Sequence, residues 1–197
     1  MAEIITETYI DSYSIINQCD IFENVEFVEY VKEIDSTIEI SKIIFPRVIV
    51  LTQACDLMQD HSARVRGANQ DKYLISVIVA PIYNFEDFRM GEHLKQIGLQ
   101  MLPIGGRNKT PCKNIMQNEN KRYHYLKFKE GVPITESVID FKHYFTVNMS
   151  YLNSIYKDHY VCSVNSLYRE LISQRFSNFL SRIGLPDPEE QEAGAAK

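Results

Sequence analysis

The chain has no tryptophan and only 8 glycines, 7 prolines and 4 cysteines in 197 residues, and each scarcity removes a class of protein. So little glycine and proline excludes collagen-like and low-complexity chains. Cys19, Cys55, Cys112 and Cys162 stand far apart with no C-x-x-C pair, which removes zinc ribbons and thioredoxin-type redox motifs. A chain of this length builds an apolar core without disulfides or a structural metal, so its isolated cysteines read as small buried hydrophobes or local functional groups. His61, His93, His124, His143 and His159 show no H-E-x-x-H or other ligand spacing, and neither phosphate-loop pattern, G-x-x-x-x-G-K-[ST] or G-x-G-x-x-G, is present. No metal and no cofactor is expected. No apolar run approaches the ~18 residues of a membrane span, and the N-terminus lacks the basic region of a secretory signal, so a cytoplasmic protein without membrane contact is expected.

What is present is an ordinary globular composition, 45% hydrophobic and 24% charged. One domain is expected over residues 1–186, followed by a disordered acidic tail, 187–197, which has no hydrophobe to bury. The net charge of -5 conceals a polarised chain. Residues 1–40 hold ten acids against Lys32, net -9, whereas 107–129 hold seven bases against Glu119, net +6.

Hydrophobic patterning predicts a mainly β protein with helices, an α+β fold. Residues 21–34 and 37–44 form a hairpin about Asp35-Ser36, with Val25, Phe27 and Val31 on one face and Glu26, Val28 and Tyr30 on the other. The β-branched runs 47–52 and 73–82 read as central strands, and 58–72 as a polar surface loop. A helix is predicted over Glu86–Met101, a loop over 103–111 and a strand over 122–129. Residues 135–148 alternate as a strand with Ile139, Phe141, His143, Phe145 and Val147 on its core face. A long C-terminal helix starts at Asn165 or Ser166 and ends at Gly184; Tyr168, Ile172, Phe176, Phe179 and Ile183 face the sheet, and Leu167, Leu171 and Leu180 widen the stripe.

Two stretches carry candidate chemistry. A buried strand ending at Thr52-Gln53 delivers Cys55 and Asp56 at its exit, where a thiol becomes a nucleophile if His61, His124 or His143 serves as its base. The alternatives are a packed strand end closed by an Asx turn, or a binding or metal role. The second stretch interleaves Arg107, Lys109, Lys113, Lys121 and Arg122 with Tyr123 and Tyr125, cations for phosphates and aromatic faces for unstacked bases, as single-stranded nucleic-acid binding requires. Its alternative is a solvated loop running into an edge strand kept soluble by lysines.

Cys19-Asp20-Ile21-Phe22, Pro46-Arg47-Val-Ile-Val-Leu-Thr52 and Leu74-Ile-Ser-Val-Ile-Val-Ala-Pro81-Ile82 resemble, over residues 19–84, the successive strands of MazF/PemK-like toxins. The resemblance implies an SH3-like, partly open β-barrel that dimerises and cuts single-stranded RNA, with Arg47 at the position of the arginine that stabilises phosphorane charge. The family's first glycine is Cys19 here, and the threonine that positions the scissile phosphate is Tyr83. Three functions follow as expectations. The first is a protein directed at single-stranded RNA in a toxin or phage-defence system, a ribonuclease or an inactive relative of one. The second is an interaction module whose acidic N-terminal face or C-terminal helix docks a protein, and the third a thiol-dependent enzyme centred on Cys55.

Overall fold

The computed structural model describes residues 5–105 and 110–182, so the predicted Gly184 stop and the 187–197 tail lie outside the described residues. In chain order the strands are β1 (Thr8–Tyr9), β2 (Asp20–Ile34), β3 (Thr37–Val50), β4 (Ser76–Asn84), β5 (Tyr123–Leu126), β6 (Ser137–Asp140), β7 (Phe145–Asn148) and β8 (Tyr160–Val164). The helices are α1 (Ala54–Arg66), α2 (Phe85–Met90), α3 (Thr110–Met116), α4 (Met149–His159) and α5 (Ser166–Leu180). The strands form one antiparallel sheet in the order β1-β8-β2-β3-β4-β6-β5, with β7 also on β4. The result is an α+β fold built on a curled half-barrel. Its two ends meet where Thr6, just before β1, bridges Phe128, just beyond β5, with Thr6 N donating to Lys127 O at 2.6 Å.

The predicted hairpin is present and far longer than a sheet edge. Asp35 and Ser36 both take positive φ, 49° and 65°, the turn whose twist matches that of paired strands. Aspartate suits the first position but serine is not the preferred glycine at the second, so Ser36→Gly should stabilise the hairpin by roughly 0.5–1 kcal/mol, seen as slower amide exchange over residues 30–41. The predicted faces hold only to Val28. Val28 lies opposite Lys42 and Tyr30 opposite Ser41, so Glu29 is an extra residue and everything beyond it changes side. Val31 therefore joins Val28 instead of Phe27.

β4 splits the sheet. Its first half, Ser76–Val79, pairs with β7 and its end, Ile82–Asn84, with β6. Between them Ala80 and Pro81 face the longer stretch 140–144, which breaks into a tight turn at Phe141–His143. Pro81 has no N–H to offer a ladder. The continuous strand predicted over 135–148 is thus two strands and a turn, with Val138 and Asp140 as buried as Ile139.

Alternate residues of β3 feed opposite faces of the sheet. Ile49 packs with Leu126, Phe141 and, from α5, Ile172, Phe176 and Phe179; Val48 and Val50 pack with Leu57 of α1 and with Met149, Leu152 and Tyr156 of α4. Phe176 and Phe179 dock α5 as predicted, their rings 5.5 and 6.0 Å from that of Phe141. Leu167, Leu171 and Leu180 are exposed instead of widening the buried stripe.

Three predictions about helices fail for identifiable reasons. The 58–72 loop is mostly α1, closed by Gly67 in the left-handed conformation with φ 64°. One of its three buried positions is Asp60, held by Arg64 Nε and Leu74 N, so its buried stripe does not look apolar. The helix predicted over 86–101 stops at Met90, because Gly91 turns left-handed (φ 77°) and passes so close to Met101 O that a Cβ there would stand 2.1 Å away. α3 occupies part of the stretch predicted as loop.

Two buried titrating groups oppose each other. Burial raises Asp20 to about 7, against hydrogen bonds from Ser163 Oγ and Asn17 N. Burial, then Arg175, lowers His124 to about 3. Folded Asp20 holds its proton longer than the unfolded chain does, so its contribution falls as pH rises from about 3.8 to about 7. Unfolded His124 takes up a proton the folded state refuses, so its contribution rises between about 3 and 6.5. Each slope approaches about 1.4 kcal/mol per pH unit inside its window. Urea unfolding between pH 4 and 6.5 should show Asp20→Asn gaining stability with pH more steeply than the parent chain, and His124→Gln gaining less than the parent or losing stability.

Candidate functional site at the base of the hairpin

Where the β2–β3 hairpin leaves the sheet, a cleft of about 220 Å³ opens between β3, the end of β4 and the turn after α2. Arg47, Tyr83, Asp87, Glu92 and His93 line it, with Ile43 and Pro46 on the hairpin side. Arg47 is placed by its register opposite Glu23, and Tyr83 by pairing with Val138. His93 is carried in by the Gly91 turn and fixed between Tyr83 and Phe88, its ring 4.7 and 4.8 Å from theirs.

Behind Tyr83 runs a polar chain. Its hydroxyl meets His143 Nδ1 at 3.0 Å, and that nitrogen lies 3.5 Å from Asp140 Oδ2. Asp140, fully buried, accepts from Arg122 Nε and Nη2 at 2.8 and 2.6 Å and from Lys142 N at 3.0 Å. This two-pronged pairing is the strong form of an arginine–carboxylate contact.

The electrostatics set protonation states. Burial pushes the Tyr83 phenol up, with nearby Asp140 adding to the effect, so it stays protonated. Burial holds both His93 and His143 below the usual imidazole value; His143 depresses His93 further, while Asp140 partly restores each. Both rings are therefore neutral at pH 7. Two polar atoms on the cleft lining are buried with no hydrogen-bond partner among the described residues: Arg47 Nε and His93 Nδ1. Buried polar groups are almost always paired, so these two atoms set the cleft lining apart from a purely apolar crevice.

The residues nominated from sequence fare differently. Arg47 stands in the cleft, with one guanidinium nitrogen donating to Pro133 O at 2.6 Å. Cys55 and Asp56 follow the buried end of β3 as expected, in the first turn of α1, but they are exposed and outside the cleft lining, and the Cys55 thiol meets Gln53 Oε1 and Asp56 Oδ1, both at 3.7 Å. Arg107 and Lys109 lie outside the described residues. Lys113 and Lys121 are exposed, but Arg122 is committed to Asp140. Tyr123 packs edge-on against Phe88, and Tyr125 is buried against Phe85, so the Tyr125 ring has no free face for a base.

Sequence reading missed His93 and Asp140 as site residues, and saw His143 only as a base for Cys55. Their numbers carry no spacing signal, because the pairing of β4 with β6 and the Gly91 turn bring them together. Compared with family models, curated proteins and solved structures, the chain matches none. Cys19 is buried and at φ 64°, a conformation in which glycine is the usual residue. Among the described residues, no helix is long and apolar enough to cross a membrane.

Proposed function

We propose that this chain is a cytoplasmic protein that binds single-stranded RNA and cleaves it at the cleft, with the half-barrel read as an SH3-like barrel. The observation that carries the reading is the meeting of Arg47, Tyr83 and His93 on one cleft lining that holds two unpaired buried polar atoms. The resemblance aligns Arg47 and Tyr83 with a catalytic pair, and His93 adds a neutral base beside them. The ribose 2′-hydroxyl attacks the adjacent phosphorus and gives its proton to His93, while the bond to the 5′ oxygen breaks. Tyr83 supplies a proton to that oxygen, leaving a 2′,3′-cyclic phosphate and a 5′-hydroxyl; the phenolate then takes a proton from water and protonated His93 gives its own back, so both groups return to their starting states. Arg47 faces the charge that builds on the phosphorane. His143 Nδ1, at 3.0 Å from the hydroxyl, keeps the phenol in place. Asp87 and Glu92 repel a second phosphate and suit the amino edge of a base.

The test incubates the purified chain with a single-stranded RNA oligonucleotide in EDTA and analyses the product ends. Cyclic phosphate ends are expected; intact RNA together with no salt-dependent binding overturns the reading. If His93 is the base, kcat/KM should rise with pH, level off below pH 6.5 and stay level through pH 8, and His93→Gln should abolish the acid limb. A thiol mechanism has less support, since the hydrogen-bond partners of Cys55 are acceptors that cannot stabilise a thiolate.

A further inference from the structure

Beyond Glu23 and Arg47 the hairpin projects from the sheet as a two-stranded arm: β8 pairs β2 only at Asp20–Phe22, and β4 pairs β3 only at Val48–Val50. A lone two-stranded ribbon is marginal in water. The Glu29 bulge gathers Val28, Val31, Ile38, Ile40 and Ile44 on one face, and all five are between 46% and 67% exposed. The two edges differ. On β2, Glu26 N is taken by Tyr151 OH and Glu23 O by His159, and the bulge itself interrupts pairing. On β3, no strand meets the outer edge between Thr37 and Arg47 among the described residues, and no proline or bulge protects it before Pro46.

We infer that the outer edge of β3 is a docking site for an extended strand of a protein partner that alternates basic and aliphatic residues. Backbone pairing along the edge supplies affinity, and the aliphatic face receives alternate side chains. Charge selects the occupant. From Asn24 to Phe45 the arm carries five acids against Lys32 and Lys42, and Lys42 is already paired with Glu26. A second copy of the arm would bring the same net -3 against it, the acidic 187–197 segment would repel it, and RNA is repelled as well. The inference stands independently of the RNA reading, since it uses no residue assigned a catalytic step.

The full chain is titrated with two synthetic peptides, one alternating lysine and valine, the other glutamate and valine, while amide exchange is followed over residues 28–44. The lysine peptide should protect amides within 37–42 and bind roughly tenfold more weakly to the Glu29→Lys/Glu33→Lys double variant, whereas the glutamate peptide should protect nothing. Equal protection by both peptides overturns the inference. Lysine-peptide binding without protection in 37–42 also overturns it, as charge attraction without strand addition. Protection that grows with protein concentration alone, with a dimer in sedimentation, assigns the edge to a second copy instead.

Discussion

Arg47→Ala should lower the rate of RNA cleavage by roughly 10² to 10³-fold, the usual loss when one preorganised donor to a developing oxyanion is removed. The loss should fall on kcat more than on KM, because in the proposed reaction the guanidinium meets charge that exists only in the transition state. Arg47→Lys should recover part of it, keeping the positive charge but not the planar fork. The bond from Arg47 to Pro133 O is exposed, so neither variant should unfold the chain, and near-equal melting temperatures would separate lost chemistry from lost structure. Quenched-flow cleavage of a single-stranded oligonucleotide reads the effect. Unchanged turnover in Arg47→Ala removes the arginine from the reaction.

The second large effect is on stability. Asp140→Ala should cost about 3 kcal/mol in urea unfolding, at the lower end of the range for breaking a buried ion pair, because Arg122 keeps 33% side-chain exposure and can reach water. The substitution also strands Lys142 N, which Asp140 accepts at the start of the tight turn between β6 and β7. Asp140→Asn should cost less, keeping one acceptor for that amide. Removing both charges with Asp140→Asn/Arg122→Gln should recover part of the loss, since the penalty comes from the partner left unpaired. A double variant as unstable as Asp140→Ala would show that the pair matters through shape and not through charge.

How far the sequence foretells this molecule depends on whether the buried face of an element is apolar. α5 is legible because Ile172, Phe176 and Phe179 repeat at helical spacing, and β4 because it is a β-branched run. α1 is not, because Asp60 replaces a hydrophobe on its inner face and is satisfied only by the folded return of Leu74. α4 was within reach, since Met149, Leu152 and Tyr156 are spaced as a helix after a capping Asn148. The face of Val31 was not, because a single extra residue at Glu29 reverses the alternation and nothing local announces it. In the cleft, Arg47 was expected only from the family resemblance, not from any pattern in its own strand. His93, His143 and Asp140 were hidden because their meeting depends on strand pairing and not on neighbouring positions.

The junction of Thr6 with the segment after β5 has a consequence for the order of assembly. Glu7 and Lys129, ion-paired beside that junction, are 122 residues apart along the chain, whereas the β2–β3 hairpin closes over a two-residue turn. Loop-closure entropy makes the distant contact slow and the near one fast, so the arm should form early in folding and the curl should shut last. Substitutions at Thr6 or Glu7 should then speed unfolding while leaving the folding rate almost untouched, and changes in the hairpin turn should do the reverse.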